Sequence, residues 1–149
     1  MTDIRFYHLQ QKTPAQALPE ILTKALSRGL RVVIKAVDEG QLTDIDMGLW
    51  VEDPSSFLPH GHAATGYPAD QPIWLTLGDD NPNAATMLVL VDGAANPATF
   101  DGYDMCCEVF GSDDDHVVAT TRTRWKMYKE QGLAPTYFQQ DFSGRWEKK

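Results

Sequence analysis

Apolar residues along the chain recur first with the period of a strand and then with that of a helix. Residues 4–9, IRFYHL, mix β-branched, aromatic and polar side chains as a strand does. A turn follows, in which Thr13 and Gln16 are spaced as a capping box and Pro14 suits a first helical position. Leu18, Ile21, Leu22, Ala25 and Leu26 then form one apolar stripe, with a kink or restart expected at Pro19 and an end at Gly29. Residues 31–37, RVVIKAV, are nearly continuous in apolar side chains, as in a parallel strand covered on both faces. Asp38 and Gln41 are placed to cap a helix over residues 39–50, with Leu42, Ile45 and Leu49 facing inward.

Residues 73–77 and 87–91 predict two short strands, separated by the turn sequence GDDNPN. Residues 93–103, GAANPATFDGY, are too rich in Gly, Pro and Asn for regular structure throughout, and residues 105–110 predict the last strand. Ser112 and Asp113 to Asp115 suit a helix start, and the helix runs to Gln131 before Gly132. The tail from 134 to 149 carries Tyr137, Phe138, Phe142 and Trp146, enough apolar surface to dock. Strand, helix, strand, helix is the order of βαβ crossovers. The chain therefore predicts a single α/β domain of three layers, Rossmann-like, with a mostly parallel central sheet and helices on both faces.

A Rossmann-like start raises the question of a nucleotide. The first strand-to-helix loop, QQKTP, holds no glycine, no G-x-G-x-x-G or G-x-x-x-x-G-K-[ST] occurs, and the pair Gly61 and Gly66 lacks the lysine that should follow. This is a fold without its phosphate-binding loop. His60 and His62 form an H-x-H pair that offers two imidazoles to a metal, but Asp53 and Asp70 are weak support for a full ligand set. Cys106 and Cys107 are adjacent and fall in a predicted strand, where they read as packing, and neighbours cannot pair with each other. His8 with Ser27 or Asp38 makes no recognisable triad. Free thiols, no apolar run of membrane-spanning length and an acid near the N-terminus suggest a soluble, cytoplasmic protein.

The net charge of −8 argues against nucleic-acid binding through the overall field. One stretch departs from that background: residues 122–129, RTRWKMYK, hold four cations, two aromatics and no acid. On a helix, Arg122, Trp125, Lys126 and Lys129 share a face, and Arg124 and Tyr128 share a neighbouring one. Two readings stand: cations complementing a helix dipole, or a pocket for an acidic peptide ending in an apolar residue, with Trp125 as wall and Arg122 and Lys126 as carboxylate contacts. A second unresolved pair is Trp50 and Phe57, set across a proline-bearing turn in LWVEDPSSFLPHGH. Burying either is worth about 1.5–3 kcal/mol whether in a core or at an interface, so energy does not separate the two cases.

The strand IRFYHL, the motif LW-x5-SFLPH and the late helix R-x-R-[aromatic]-K-x-Y-[K/R] before a glycine, in this order, resemble the chi subunit of the bacterial DNA polymerase III holoenzyme over essentially the whole chain. The resemblance implies an accessory subunit of the clamp-loader assembly that is not an enzyme and needs no cofactor, polymerase activity residing in other subunits. It implies two partners, the psi subunit and the acidic, Phe-terminated tail of single-stranded-DNA-binding protein, and leaves room for a helicase on the psi-binding surface. The psi-facing aromatics fall on Trp50 and Phe57, of which Phe57 is the better candidate for an exposed anchor. The tail-binding positions fall on Arg122, Trp125 and Lys126, with Arg124 and Tyr128 as neighbours; Trp125 stands where some relatives carry Tyr. Nothing carries over to residues 82–103. Two rivals remain: a small metal-assisted hydrolase using His60 and His62, and a direct single-strand binder using residues 122–129.

Overall fold

The computed structural model describes residues 2–51, 60–63, 66–97, 100, 102–143 and 145–149, the side chains at 50 and 51 excepted. Its elements are β1 (Asp3–His8), α1 (Pro14–Ser27), β2 (Val32–Lys35), α2 (Glu39–Val51), β3 (Ile73–Thr76), β4 (Met87–Val91), β5 (Met105–Phe110), α3 (Asp115–Glu130), β6 (Thr136–Gln140) and β7 (Trp146–Lys148). The strands form one sheet in the order β3-β2-β4-β5-β1-β6-β7. Every pairing in it is parallel except β6 with β7.

Strand alternation explains the three layers. Val32, Ile34, Val89, Cys107 and Val109 point to the side that carries Leu18, Leu22, Ile45 and Leu49 of α1 and α2. Their neighbours Val33, Leu88, Leu90, Cys106 and Phe110 point to the other side, where Tyr128 of α3 packs. A strand buried on both faces must be apolar throughout, hence VVI in β2 and MLVLV in β4. Burial pushes the Cys107 thiol up to about 12, and Cys106 is likewise held well above its ordinary value, so both cysteines are inert packing groups. No helix among the described residues is long and apolar enough to cross a membrane.

The predicted capping box forms. Thr13 Oγ1 accepts from Gln16 N at 3.3 Å, and Gln16 Oε1 accepts from Thr13 N at 3.0 Å. Thr13→Ala should therefore cost about 1 kcal/mol, read as a lower urea midpoint at unchanged slope. α1 does not restart at Pro19 but runs through it. Pro19 lacks the N–H that would reach the Ala15 carbonyl, and Gly48 of α2 packs beside that oxygen: a Cβ on Gly48 would lie 3.1 Å from Ala15 O.

One further expectation needs correction. β5 is not the last strand, because the tail supplies β6 alongside β1 and then β7 at the edge. The segment TYFQQ has no clean two-residue alternation, and its pairing is dictated by the open edge of β1. The region after residue 82 is irregular, as expected, and its described residues are tied to the sheet by hydrogen bonds. Asn83 Nδ2 donates to Gln71 O and Val32 O at 2.8 and 3.3 Å, and Lys35 Nζ, buried beneath the loops, donates to Ala95 O and Asp79 at 2.8 and 2.6 Å.

Candidate functional site

The site is built on α3. Asp114 caps the helix by accepting from His116 N and Val117 N at 2.9 and 3.4 Å, which fixes its acidic start, and Lys129 lies in its last turn, so the charges complement the helix dipole at both ends. The inward face consists of Thr121, Arg124 and Tyr128. Arg124 and Tyr128 therefore do not sit beside Arg122 and Lys126 as solvent-facing neighbours. They reach down to Glu108 on β5, which is fully buried while Arg124 is 8% exposed. Arg124 Nη1 donates to the two Glu108 oxygens at 2.8 and 3.1 Å, and Nη2 to Gly93 O at 2.9 Å. Tyr128 Oη donates to Glu108 Oε2 at 2.6 Å and accepts from Asn96 Nδ2 at 2.7 Å. A buried carboxylate needs such partners, and they turn this face of α3 to the sheet.

Turning that face inward leaves Arg122 and Lys126 exposed, with Trp125 half-buried between them. They line a pocket of about 440 Å³, completed by Val118 and Thr121 of α3, by Phe110 and Tyr137 from the sheet, and by Lys149. Its floor is an aromatic cluster: Trp125 meets Phe6 and Tyr137 edge-on at centroid distances of 5.4 and 5.8 Å. Lys129 Nζ sits over the Trp125 ring, 5.3 Å from its centroid, and adds positive potential at the wall. The lining holds three cations, Arg122, Lys126 and Lys149, and no acid, with Lys149 Nζ paired at 3.2 Å to Glu147, which lies outside the lining. An apolar floor under a cationic rim suits a ligand with one apolar end and carboxylates beside it.

His8 supports this floor from behind. It stacks on Phe110 at 4.6 Å. Ser112 Oγ donates to Leu9 O at 2.7 Å, leaving a lone pair for His8 Nε2–H at 2.8 Å, so His8 Nδ1 accepts the Tyr137 hydroxyl at 2.6 Å. Burial, and then the Arg122 charge, hold His8 below the ordinary imidazole value of 6.5. The unfolded chain thus binds this proton more readily than the fold. The stabilisation is present above about pH 6.5 and is lost as pH falls through the lowered native value. His8→Gln should remove that component, seen as a smaller loss of urea stability than wild type between about pH 7 and about pH 5.

Elsewhere, His60 and His62 both turn to Asp46 of α2, His60 Nε2 at 2.9 Å and His62 Nε2 at 3.9 Å from its oxygens. This ties the loop to the helix, and among the described residues no three His, Cys, Asp or Glu gather as metal ligands. Phe57 and the Trp50 side chain, the psi-facing candidates, lie outside the described residues. The loops after β1 and β5 leave toward opposite faces of the sheet, and the crevice between them is where doubly wound folds hold phosphate. Here that crevice, of about 410 Å³, is lined by Asp44, Asp92, Asp113 and Asp114 with Lys12 as its one cation. Burial, with Asp113 and Asp114 nearby, raises the Asp92 carboxyl above its ordinary range. Phosphate would meet repulsion here.

Of the positions read from sequence, the structure brings Arg122, Trp125 and Lys126 together and sets Arg124 and Tyr128 behind them. Phe110, Tyr137, Lys149 and His8 were not anticipated as parts of this site. Tyr137 stood out only as a tail aromatic, and no local signal joins it to β1.

A family model described as DNA polymerase III chi subunit, HolC, matches residues 1–136, which leaves β7 and nearly all of β6 beyond the match. A Rickettsia prowazekii protein named probable DNA polymerase III subunit chi is 30% identical over 91 residues, 61% of this chain and 55% of that one. The aligned stretch thus spans about half the length of that relative. A Pseudomonas aeruginosa protein named DNA polymerase III subunit chi is 26% identical over 135 residues, 89% of this chain and 92% of that one. With agreement running from the first strand through the last helix, the chain belongs to the DNA polymerase III chi subunit family.

Proposed function

We propose that the chain is a non-catalytic accessory subunit of the clamp-loader assembly that bridges two partners. The acidic, Phe-terminated tail of single-stranded-DNA-binding protein enters the pocket over α3, and the psi subunit docks on the surface around Trp50 and Phe57. The observation that carries the first half is the pocket itself: three cations on its rim over a floor of Trp125, Tyr137 and Phe110, on a chain of net charge −8. The terminal Phe ring packs on that floor while its carboxylate and the acids before it meet Arg122 and Lys126. A local basic cluster acts within a Debye length of about 8–10 Å, so an acidic protein can take an acidic peptide. It then reaches DNA through that partner and not by itself. In support of the second half, Met47 on α2, one turn before position 50, is 56% exposed.

Isothermal titration with the tail peptide tests the first half. Binding should weaken with salt and fall sharply in Arg122→Ala and in Lys126→Glu; equal affinity in both variants would overturn the assignment. Capture of psi by wild type, but not by Trp50→Ala or Phe57→Ala, checks the second. Tight salt-sensitive binding to bare single strands would instead favour a direct nucleic-acid binder.

A further inference from the structure

The pocket over α3 uses one side of β6, and the next residue of that strand serves the other side. Tyr137 joins the core beneath α3, whereas Phe138 stacks on Tyr7 at a centroid distance of 5.3 Å, with Trp146 of β7 meeting Tyr7 edge-on at 5.2 Å. These three rings lie on the α1 side of the sheet, where α1 and α2 cover the central strands. Between α1 and the edge strands runs a groove of about 230 Å³. Its apolar base carries Tyr7, Phe138 and Trp146, and its rim carries Arg5, Lys24 and Arg28 against one acid, Glu20.

We infer that this groove is a second binding site for a linear acidic peptide segment, which sets one apolar side chain on the Tyr7, Phe138 and Trp146 edges and its carboxylates on Lys24, Arg28 and Arg5. The central sheet separates it from the pocket over α3, and it stands or falls independently of the ligand proposed there.

Charge complementarity selects the occupant. Three cations converge here on a chain of net charge −8. Arg28 has no ion-pair partner among the described residues. Lys24 approaches Glu20 only at 3.9 Å, both side chains about half exposed or more, and such a contact is cheaply exchanged for a ligand carboxylate. Arg5 donates to Asp3 at 3.0 Å, which holds its guanidinium at the groove. A nucleic acid fits less well. It places a charge on every nucleotide, which the acidic surface beyond the groove repels, and it needs an open ring face for stacking. The Tyr7 and Phe138 faces are turned to each other, with 12° between their planes, and Trp146 stands edge-on to Tyr7, so one face of each stacked ring is already taken by its neighbour.

The test is a titration of the isotope-labelled full chain, followed by amide shifts, with a synthetic Asp-rich peptide that carries one internal Leu and an amidated C-terminus. Saturable shifts are expected at residues 24–28, 138 and 146, lost at high salt. The double variant Lys24→Glu/Arg28→Glu changes only exposed side chains, and it should weaken binding in the groove about tenfold or more while leaving shifts around Trp125 in place. Shifts confined to the α3 side, or groove shifts unaffected by the double variant, would overturn the inference. So would an oligothymidylate that perturbs residues 24–28 where the peptide does not.

Discussion

Arg124→Ala should destabilise the fold by about 3–5 kcal/mol, because it strands the Glu108 carboxylate in the interior with Tyr128 as its main remaining partner. The cost comes less from losing an attraction than from leaving a fully buried charge uncompensated. Gly93 O also loses the Arg124 donor that ties the loop after β4 to α3. For a chain of this size the loss corresponds to a melting temperature lower by roughly 10 °C. Removing both charges together should recover most of it, since apolar groups of similar volume need no counter-ion: Glu108→Leu with Arg124→Met is expected to melt well above Arg124→Ala. Urea and thermal unfolding of the three proteins decide the matter. A single variant within about 1 kcal/mol of wild type would show that Arg124 does not hold α3 on the sheet. The double variant, once folded, should still bind the tail peptide, because neither residue reaches the pocket surface.

Lys126→Glu should weaken that peptide by about ten- to a hundredfold at low salt, since reversal replaces an attraction at the pocket rim with a repulsion. Unlike Arg124, Lys126 is exposed, so its loss should leave stability nearly unchanged. Raising salt should narrow the gap between variant and wild type, as the rim charges are open to solvent and screened. Two features of the peptide sharpen the reading. Amidating its terminal carboxylate should reproduce part of the Arg122→Ala loss, and replacing its last Phe with Ala should cost affinity that salt does not modulate, because that part of the contact is apolar burial on Trp125 and Tyr137. A Lys126→Glu protein that binds as tightly as wild type at low salt would remove the peptide from this pocket.

The helical stripes, the capping box at Thr13, and the strands of β1 through β5 are all visible in the linear pattern, because each depends on residues within a few positions of one another. The basic block of α3 was visible for the same reason. Its orientation was not. Arg122, Arg124, Trp125 and Lys126 are all candidates on an isolated helix, and only Glu108, sixteen residues earlier on a neighbouring strand, decides that Arg124 turns inward. The tail posed the same difficulty. Its aromatics announced that it docks, but β6 exists because the edge of β1 was open to it, a pairing across more than 120 positions that no window along the chain records.

The sequence by itself determined the α/β class, the missing phosphate loop and the basic, aromatic helix, because periodicity, glycine placement and charge are local properties of a chain. Tertiary structure alone decided which cations reach solvent, how Phe110, Tyr137 and Lys149 complete a pocket with Arg122, Trp125 and Lys126, and that Phe138 and Trp146 face a second groove behind it. The physical reason is common to all three. A buried charge, a sheet edge and an apolar surface each take their partners from whatever the fold brings within a few ångströms, however distant in sequence.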